Sequence, residues 1–422
     1  MVGPDEGNTR KDQPKMALVV QKYGGTSVGN IEKIENVAKR IIKAREKGNS
    51  IVVVLSAMAG ETDRLIQLAN SVSEKPTERE YDVLVSTGEQ VTISLLAMIL
   101  NKMGCKAKSL LGHQVKIVTD ETHTMARILS VDAEKIRNEL EDGNVVVVAG
   151  FQGVDKDNNI TTLGRGGSDT SAVAIAAALK ADCCEIFTDV DGVYTADPNV
   201  YDKARKLQKI SYDEMLELAS AGAKVLQHRS VELAKIFGVP LYVRSSFNNE
   251  KGTLVTKEDK EMEKEVVSGV TYDKDQAKVT IVHVPDRPGI AARLFTPLTD
   301  QNIVVDMIIQ NASIEGYTDL TFTVSKKDSK TVQSLLVGVA DDLGADRVDF
   351  DENIAKISLV GVGMKSHAGV ASRMFAALAS EGINILMIST SEIKISCAIE
   401  SKYTELAVRV LHDAFALDRE KE

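Results

Sequence analysis

Between residues 16 and 256, short runs of apolar, β-branched residues alternate with stretches of helical spacing. Residues 18–21 form the first such run, and a helical pattern follows over 31–47. Residues 50–55 (SIVVVL) form the second, ahead of an Ala/Leu-rich helical stretch. Residues 144–149 (NVVVVA) and 185–188 are later runs, and the Ala-rich segment 171–180 between them reads as a buried helix. Strands that are apolar throughout, without in–out alternation, belong to mostly parallel sheets covered by helices on both faces. The pattern therefore predicts an α/β fold for this part of the chain.

After residues 257–265 (KEDKEMEKE), a charge-rich linker or exposed helix with little to bury, the character changes. Residues 278–282 (KVTIV) reappear as 356–360 (KISLV). Gly289, Ala291, Arg293, Phe295, Leu298, Ile303, Met307 and Ile308 recur 80 positions later (289 to 369) as Gly369, Ala371, Arg373, Phe375, Leu378, Ile383, Met387 and Ile388. Each copy reads strand, glycine turn, amphipathic helix, two strands, helix, strand. Such a split βαβ unit predicts two ferredoxin-like α+β domains, over 266–345 and 346–422. Phe295 and Phe375 are expected in their cores.

Composition narrows the function. The 422 residues are too many for one core, and the net charge of −10 comes with no basic block, which argues against nucleic acid as a partner. No apolar run approaches the ~20 residues of a membrane span. Four scattered cysteines lack the spacing of a zinc site or a disulfide frame, so a reduced, cytoplasmic setting is expected. Residues 1–15 are polar and read as a disordered or artificially added leader.

Several segments could carry chemistry. Lys22-Tyr23-Gly24-Gly25 closes the first strand, where glycines let backbone N–H groups approach an anion beside a fixed positive charge; an ordinary glycine turn is the alternative. No GxxxxGK[ST] pattern occurs. Ser56 to Thr62 lies at the end of the second strand, where open α/β sheets bind ligands, although either hydroxyl also suits a helix cap. Glu89 could meet a substrate ammonium group or merely favour a helix N-terminus. In residues 161–171 (TTLGRGGSDTS), three glycines around Arg165 place backbone donors and a guanidinium near one point, suited to a carboxylate. Residues 188–198 (TDVDGVYTADP) begin like a calcium loop but lack its later ligands, so a nucleotide-edge loop with Tyr194 against base or ribose fits better. Lys224, in GAKVL, is one more basic candidate.

Taken in order, KYGGTSV, VVVLSAMAGET, STGE, GFQG, TTLGRGGSDT, TDVDGVYTADP and GAKVLQ resemble the aspartate kinases of the amino-acid kinase superfamily. The repeat resembles the tandem ACT domains of the same enzymes. The resemblance runs from Met16 to about Leu417. It implies a three-layer α/β sandwich, ATP with Mg²⁺, and phosphoryl transfer to the side-chain carboxylate of L-aspartate, the first step towards lysine, threonine and methionine. By matching motif, Lys22, Tyr23, Gly24 and Gly25 would hold the phosphates, and Thr188, Asp189, Tyr194, Asp197, Lys224 and Val225 would line the nucleotide. Arg165, with Gly166 and Gly167, would grip the substrate α-carboxylate and Glu89 its ammonium group, while Ser56, Thr62 and Ser168 help place it. Asp169 would organise the centre beside Lys22, making Lys22, Asp169 and Arg165 the catalytic set. No metal ligand set of protein side chains is predicted.

The same resemblance implies an effector site. Asp286, Arg287, Gly289, Ile290, Ala291, Val304, Val305, Asp306 and Gln310 match it in the first repeat, and Val370, Ala371, Asn384, Ile385, Ser391 and Glu392 match its counterpart in the second. Lysine, with threonine as a second candidate, would inhibit through it, and edge strands of the repeats would pair between copies in a homo-oligomer. Two other readings stay open: a different acyl-phosphate-forming kinase of the superfamily, acting on glutamate, acetylglutamate or carbamate, and a non-catalytic amino-acid sensor.

Overall fold

The computed structural model describes residues 17–419 except 224, 261 and 312–315; Lys224 and the leader lie outside the described residues. Two compact units emerge. One runs up to Val193 and resumes over Val225–Lys257; the other combines Tyr194–Lys224 with the chain from Glu258 onward.

In the first unit, Leu18–Tyr23 is the central strand. It pairs in parallel with Ser50–Leu55 on one side and Cys183–Thr188 on the other. Val145–Ala149 and Ala107–Leu110 extend one flank in parallel, and Leu241–Ser245 extends the other. Thr253–Thr256 runs antiparallel, against Leu241–Ser245. Alternate residues of these apolar strands face opposite helical layers. Val19, Tyr23, Ile51, Val53, Leu55 and Val147 meet Ile34, Val37 and Ile41 of helix Ile31–Glu46, together with Ile93, Leu96 and Leu100 of helix Thr87–Lys102. Each such side chain, once buried, contributes about 1.5–3 kcal/mol. The helical run Glu78–Lys102 is long and apolar enough to pass for a membrane span, yet its apolar face is spent on this core.

Helix Gly167–Leu179 packs against Leu18–Tyr23 and Cys183–Thr188 and is buried on nearly every side, which its Ala-rich sequence permits. It begins four residues before the run of small apolar residues that announces it, because Gly167-Ser168-Asp169-Thr170 forms its first turn. A small second sheet, in the order Ile128–Val131, Ile117–Thr119, Gln152–Val154, Ile160–Thr162, carries the chain into that helix. The architecture is a three-layer α/β sandwich with a mostly parallel sheet.

In the second unit both repeats share one six-stranded sheet built around two long strands, Gly269–Pro285 and Arg347–Val360. Register breaks between Asp273 and Lys278 divide their pairing into two halves. Ala277 to Pro285 pairs with Tyr317–Val324 of the first repeat, and Ile354 to Val360 pairs with Lys394–Glu400 of the second. Gly269 to Asp273 pairs with Lys356 to Val360, so the closing strand of the second repeat comes from ahead of the first repeat, not from the end of the chain. Val267 and Val270 accordingly join the core of the second repeat with Ile357, Met374 and Leu411, and Phe375 packs against it. Phe295 packs on the separate core of the first.

Residues 194–224 fold with this second unit. Helix Tyr212–Ser220 starts in a capping box of Ser211 and Glu214. The buried Glu214 carboxylate also accepts from Ser268 Oγ and from the Val362 N–H at 3.0 Å. Thr195 Oγ1 lies 2.9 Å from Nε2 of the buried His412.

Candidate active site

Parallel strands put their C-terminal ends on one edge, so four sequence segments meet there by topology: KYGG after Leu18–Tyr23, SAMAG after Ser50–Leu55, GFQG after Val145–Ala149 and TDVDG after Cys183–Thr188. The chain leaves Leu18–Tyr23 in one direction to build Ser50–Leu55 and Val145–Ala149, and in the other to build Cys183–Thr188. The crevice at such a reversal is where open α/β sheets take ligands.

Backbone packing in this edge is close. Gly24 N–H donates to Phe187 O at 3.2 Å, and Ser56 N–H to Tyr23 O at 3.1 Å. A Cβ on Gly25 would stand 2.8 Å from Ala57 O, so only glycine lets the two strand-end loops touch. The Tyr23 ring is wholly buried and stacked on Phe187 with centroids 4.6 Å apart, leaving only its backbone for a ligand. Ser246 Oγ bridges the KYGGTS and TDVDG loops, 2.9 Å from Ser27 Oγ and 3.2 Å from Thr188 O. Thr188 Oγ1 donates to Asp189 at 3.1 Å.

Two charged features stand out from this frame. Lys22 Nζ lies 2.6 Å from Asp169 Oδ1, and both side chains are about nine-tenths buried (11% and 10% exposed). That oxygen accepts no well-aligned hydrogen bond and retains acceptor capacity. Glu89, only 3% exposed, accepts the Ala57 N–H on Oε1 at 3.0 Å, while its buried Oε2 has no partner. Burial pushes the Glu89 carboxyl up to about 7, against the pull of the Ala57 N–H. A buried carboxylate oxygen without a donor is an acceptor waiting for one. Ser56 and Thr62 are half-buried nearby in sequence; the Ser56 carbonyl accepts from Thr92 Oγ1 at 3.0 Å. Ser168 is buried so close to Gly150 that a Cβ there would stand 2.7 Å from its own.

Arg165 differs from these. It is exposed and makes no hydrogen bond or ion pair with any described residue, presented on a loop whose Gly164 and Gly166 both take positive φ (+73° and +74°). Gly167 fits beneath Leu163 and Phe151, and Phe151 itself is held at φ +67°, an uncommon conformation for an aromatic residue.

The loop's anchor went unnoticed in the sequence. Asp82, fully buried on helix Glu78–Val85, accepts from Thr162 Oγ1 at 2.6 Å, from the Thr162 and Thr124 N–H groups, and sits 2.8 Å from His123 Nδ1. A lone Asp in an amphipathic helix carries no signal that separates it from a solvated one.

The other expected nucleotide residues lie on later segments of the chain. Val225 is half-buried at the resumption of the first unit. Tyr194 and Asp197 belong to the second unit, where Asp197 accepts from Tyr272 Oη at 3.1 Å and caps Asn199. Among the described residues no cluster of three or more His, Cys, Asp or Glu side chains forms a metal cage.

In the repeats, Gly289 and Gly369 occupy the same place, each with positive φ before helices Ile290–Asp300 and Val370–Ser380. Asp286, Arg287, Ala291, Val304, Asp306, Gln310, Asn384, Ser391 and Glu392 are exposed; Val305, Ala371 and Ile385 are half-buried; Ile290 and Val370 point into the cores. The Asp306 carboxylate pairs with the ammonium of Lys356, whose own side chain is almost wholly buried.

Comparison with known proteins places this geometry. The amino acid kinase family matches residues 17–245, and the ACT domain matches residues 278–340 and 357–415. An aspartate kinase of Stutzerimonas stutzeri is 59% identical over 404 residues, covering 96% of this chain and 98% of its own. An aspartokinase of Pseudomonas aeruginosa is 59% identical over 405 residues with the same coverage. The crystal structure of E. coli aspartokinase III in complex with aspartate and ADP is similar with a TM-score of 0.77 and 27% identity, covering 94% of this chain and 99% of that one. Its complex with lysine and aspartate gives 0.76.

Proposed function

The chain belongs to the amino acid kinase family as an aspartate kinase with two ACT domains, and from that premise we propose that it transfers the γ-phosphoryl group of ATP to the β-carboxylate of L-aspartate, giving 4-phospho-L-aspartate. The observation that carries the substrate assignment is the orphaned Oε2 of Glu89, a buried acceptor on the strand-end edge that suits an α-ammonium group. Arg165, without a hydrogen bond or ion pair among the described residues, suits the α-carboxylate as a bidentate partner.

The chemistry asks little of a base. A substrate aspartate side chain has a pKa of about 3.9, so the attacking oxygen is already ionised at neutral pH. The difficulty is bringing two anions into line, and the work is positioning and charge stabilisation. Lys22 supplies positive charge at the glycine loop, and Asp169 holds it there. The Gly24-Gly25 turn lies beside it, its lack of side chains letting phosphate oxygens come close to the Lys22 ammonium, with Thr188, Asp189, Tyr194, Asp197, Lys224 and Val225 as the remaining expected nucleotide contacts. Mg²⁺ would be held mainly by the nucleotide's own phosphates, neutralising charge on the transferring group. Ser56, Thr62 and Ser168 complete the aspartate pocket.

We extend the reading to regulation. E. coli aspartokinase III is known in a lysine complex, and lysine, with threonine as a second candidate, would act here through the glycine turns and edge strands of the repeats. Ile308 and Ile388, exposed on the edge strands Val305–Gln310 and Ile385–Thr390, support pairing of copies into a homo-oligomer. The four free cysteines suit a cytoplasmic setting.

One assay tests the core of this: ATP, Mg²⁺, aspartate and hydroxylamine, scored for aspartyl hydroxamate. Formation with aspartate, and not with glutamate, acetylglutamate or carbamate, is expected. No hydroxamate from aspartate would defeat the reading.

A further inference from the structure

The loop that presents Arg165 is clamped from two sides. Asp82 holds Thr162 from one. From the other, Arg229 Nη1 donates to Leu163 O at 2.7 Å and Nη2 donates to Ala126 O at 2.8 Å. Ala126 N–H in turn donates to Thr162 O at 2.9 Å, so the guanidinium closes a ring of bonds around the start of the loop. Gln227 presses on its far end. A Cβ on Gly166 would fall 1.9 Å from Gln227 Cγ, so the side chain of Gln227 fills the space that any larger residue at 166 would need.

Gln227 and Arg229 begin helix His228–Phe237, two and four residues after Val225. The short stretch 225–229 therefore includes, at one end, a residue assigned to the nucleotide and, at the other, the guanidinium that fixes the aspartate loop. Loop position and the expected nucleotide contact then share one short piece of backbone. Two of the five N–H donors of Arg229 go to main-chain carbonyls of the loop and its neighbour, a positioning role and not a substrate contact.

Resting on the aspartate kinase reading, we infer that Arg229 is a positioning residue that couples the two substrate sites, so that nucleotide and aspartate bind cooperatively through the 225–229 segment. An arginine suits this role because its planar fork spans two carbonyls at once, which a lysine ammonium cannot do. Coupling between sites is reciprocal, and values of about 5- to 150-fold are typical.

The test is titration of the full chain with aspartate, with and without saturating ADP, for the natural enzyme, Arg229→Gln and Arg229→Lys, alongside kinetics and thermal melts. ADP should tighten aspartate about fivefold or more in the natural enzyme. Arg229→Gln should lose most of that factor and raise the aspartate KM roughly tenfold with a smaller change in kcat, and Arg229→Lys should fall between. A general loss of structure would lower the melting temperature and both affinities together without abolishing their mutual dependence. Equal aspartate affinity with and without ADP in the natural enzyme overturns the inference, as does full coupling in the variants. Should Arg229→Gln not fold, Arg229→Lys decides by the same criterion. Failure of the natural enzyme to form hydroxamate would instead strike the functional reading on which this rests.

Discussion

The strand-end edge of the first unit and the glycine turns of the second handle charge in opposite ways. In the first, Lys22, Asp169 and Glu89 are buried and carry unsatisfied or partly satisfied oxygens, so their electrostatics are strong and costly. In the second, Asp286 and Arg287 stand in solvent, and a Cβ on Gly289 or Gly369 would meet nothing within 4 Å. Asp306 is already neutralised by Lys356. Buried charge holds a reacting geometry without rearrangement; exposed charge, screened by water, reports a ligand cheaply and reversibly. The division suits one region that does chemistry and another that senses.

The largest expected break in this contrast is Lys22→Ala. It removes the positive charge at the glycine loop and leaves Asp169 buried without its ion-pair partner, so kcat should fall by about 10²–10³-fold with a much smaller change in aspartate KM. Steady-state kinetics checks this, and an unchanged kcat would take Lys22 out of the mechanism. Arg165→Ala comes next. Its side chain is exposed and makes no hydrogen bond or ion pair with any described residue, so stability should stay within about 0.5 kcal/mol while the aspartate KM rises by roughly 10- to 100-fold; a normal KM in a folded variant would refute its role.

A subtler effect concerns Glu89. Its carboxyl, raised to about 7, must be ionised to receive an ammonium group. Aspartate affinity should therefore weaken as pH falls below 7, approaching about tenfold per pH unit. Because the folded-state value lies above the ordinary carboxylate value, the group's contribution to stability is present at low pH and is lost as pH rises through about 7. Glu89→Gln should thus bind aspartate poorly yet be more stable at pH 8, by up to about 3 kcal/mol and with a higher melting temperature, with little difference near pH 4. Equal melting temperatures at pH 8 would contradict a buried, orphaned carboxylate. The smallest effect is expected in the sensing region: Asp286→Asn should leave kcat without lysine within about twofold and shift the half-inhibiting lysine concentration several-fold. Inhibition curves that superimpose would place lysine elsewhere.

Much of this was legible in the sequence. Apolar, β-branched strands between helices declare a covered parallel sheet because burial on both faces leaves no polar positions, and the repeat declares paired small domains because the same residue types recur at the same turns. What stayed hidden depends on contacts far apart in the chain. The run 269–273 looks like the start of the first repeat, and only its pairing with Lys356 to Val360 shows that it completes the second. Residues 194–224 sit between catalytic motifs in sequence yet fold with the other unit. Tyr23 lies in a glycine-loop motif, but its ring stacks on Phe187 in the core. Asp82 and Arg229, which fix the substrate loop, look like ordinary surface charges until the loop arrives. Glu89 was legible as a candidate, but not the single open oxygen that distinguishes it.

The borrowed closing strand has a consequence for how the protein is made. As the chain leaves the ribosome, residues 269–273 emerge more than 80 positions ahead of their partners at 356–360. Until those partners arrive, the Gly-Val-Thr-Tyr-Asp ribbon lacks the strand it pairs with, and such long-range pairing is slow to form. Cutting the gene between the two repeats would leave the downstream half one strand short and the upstream half carrying a strand with nothing to join.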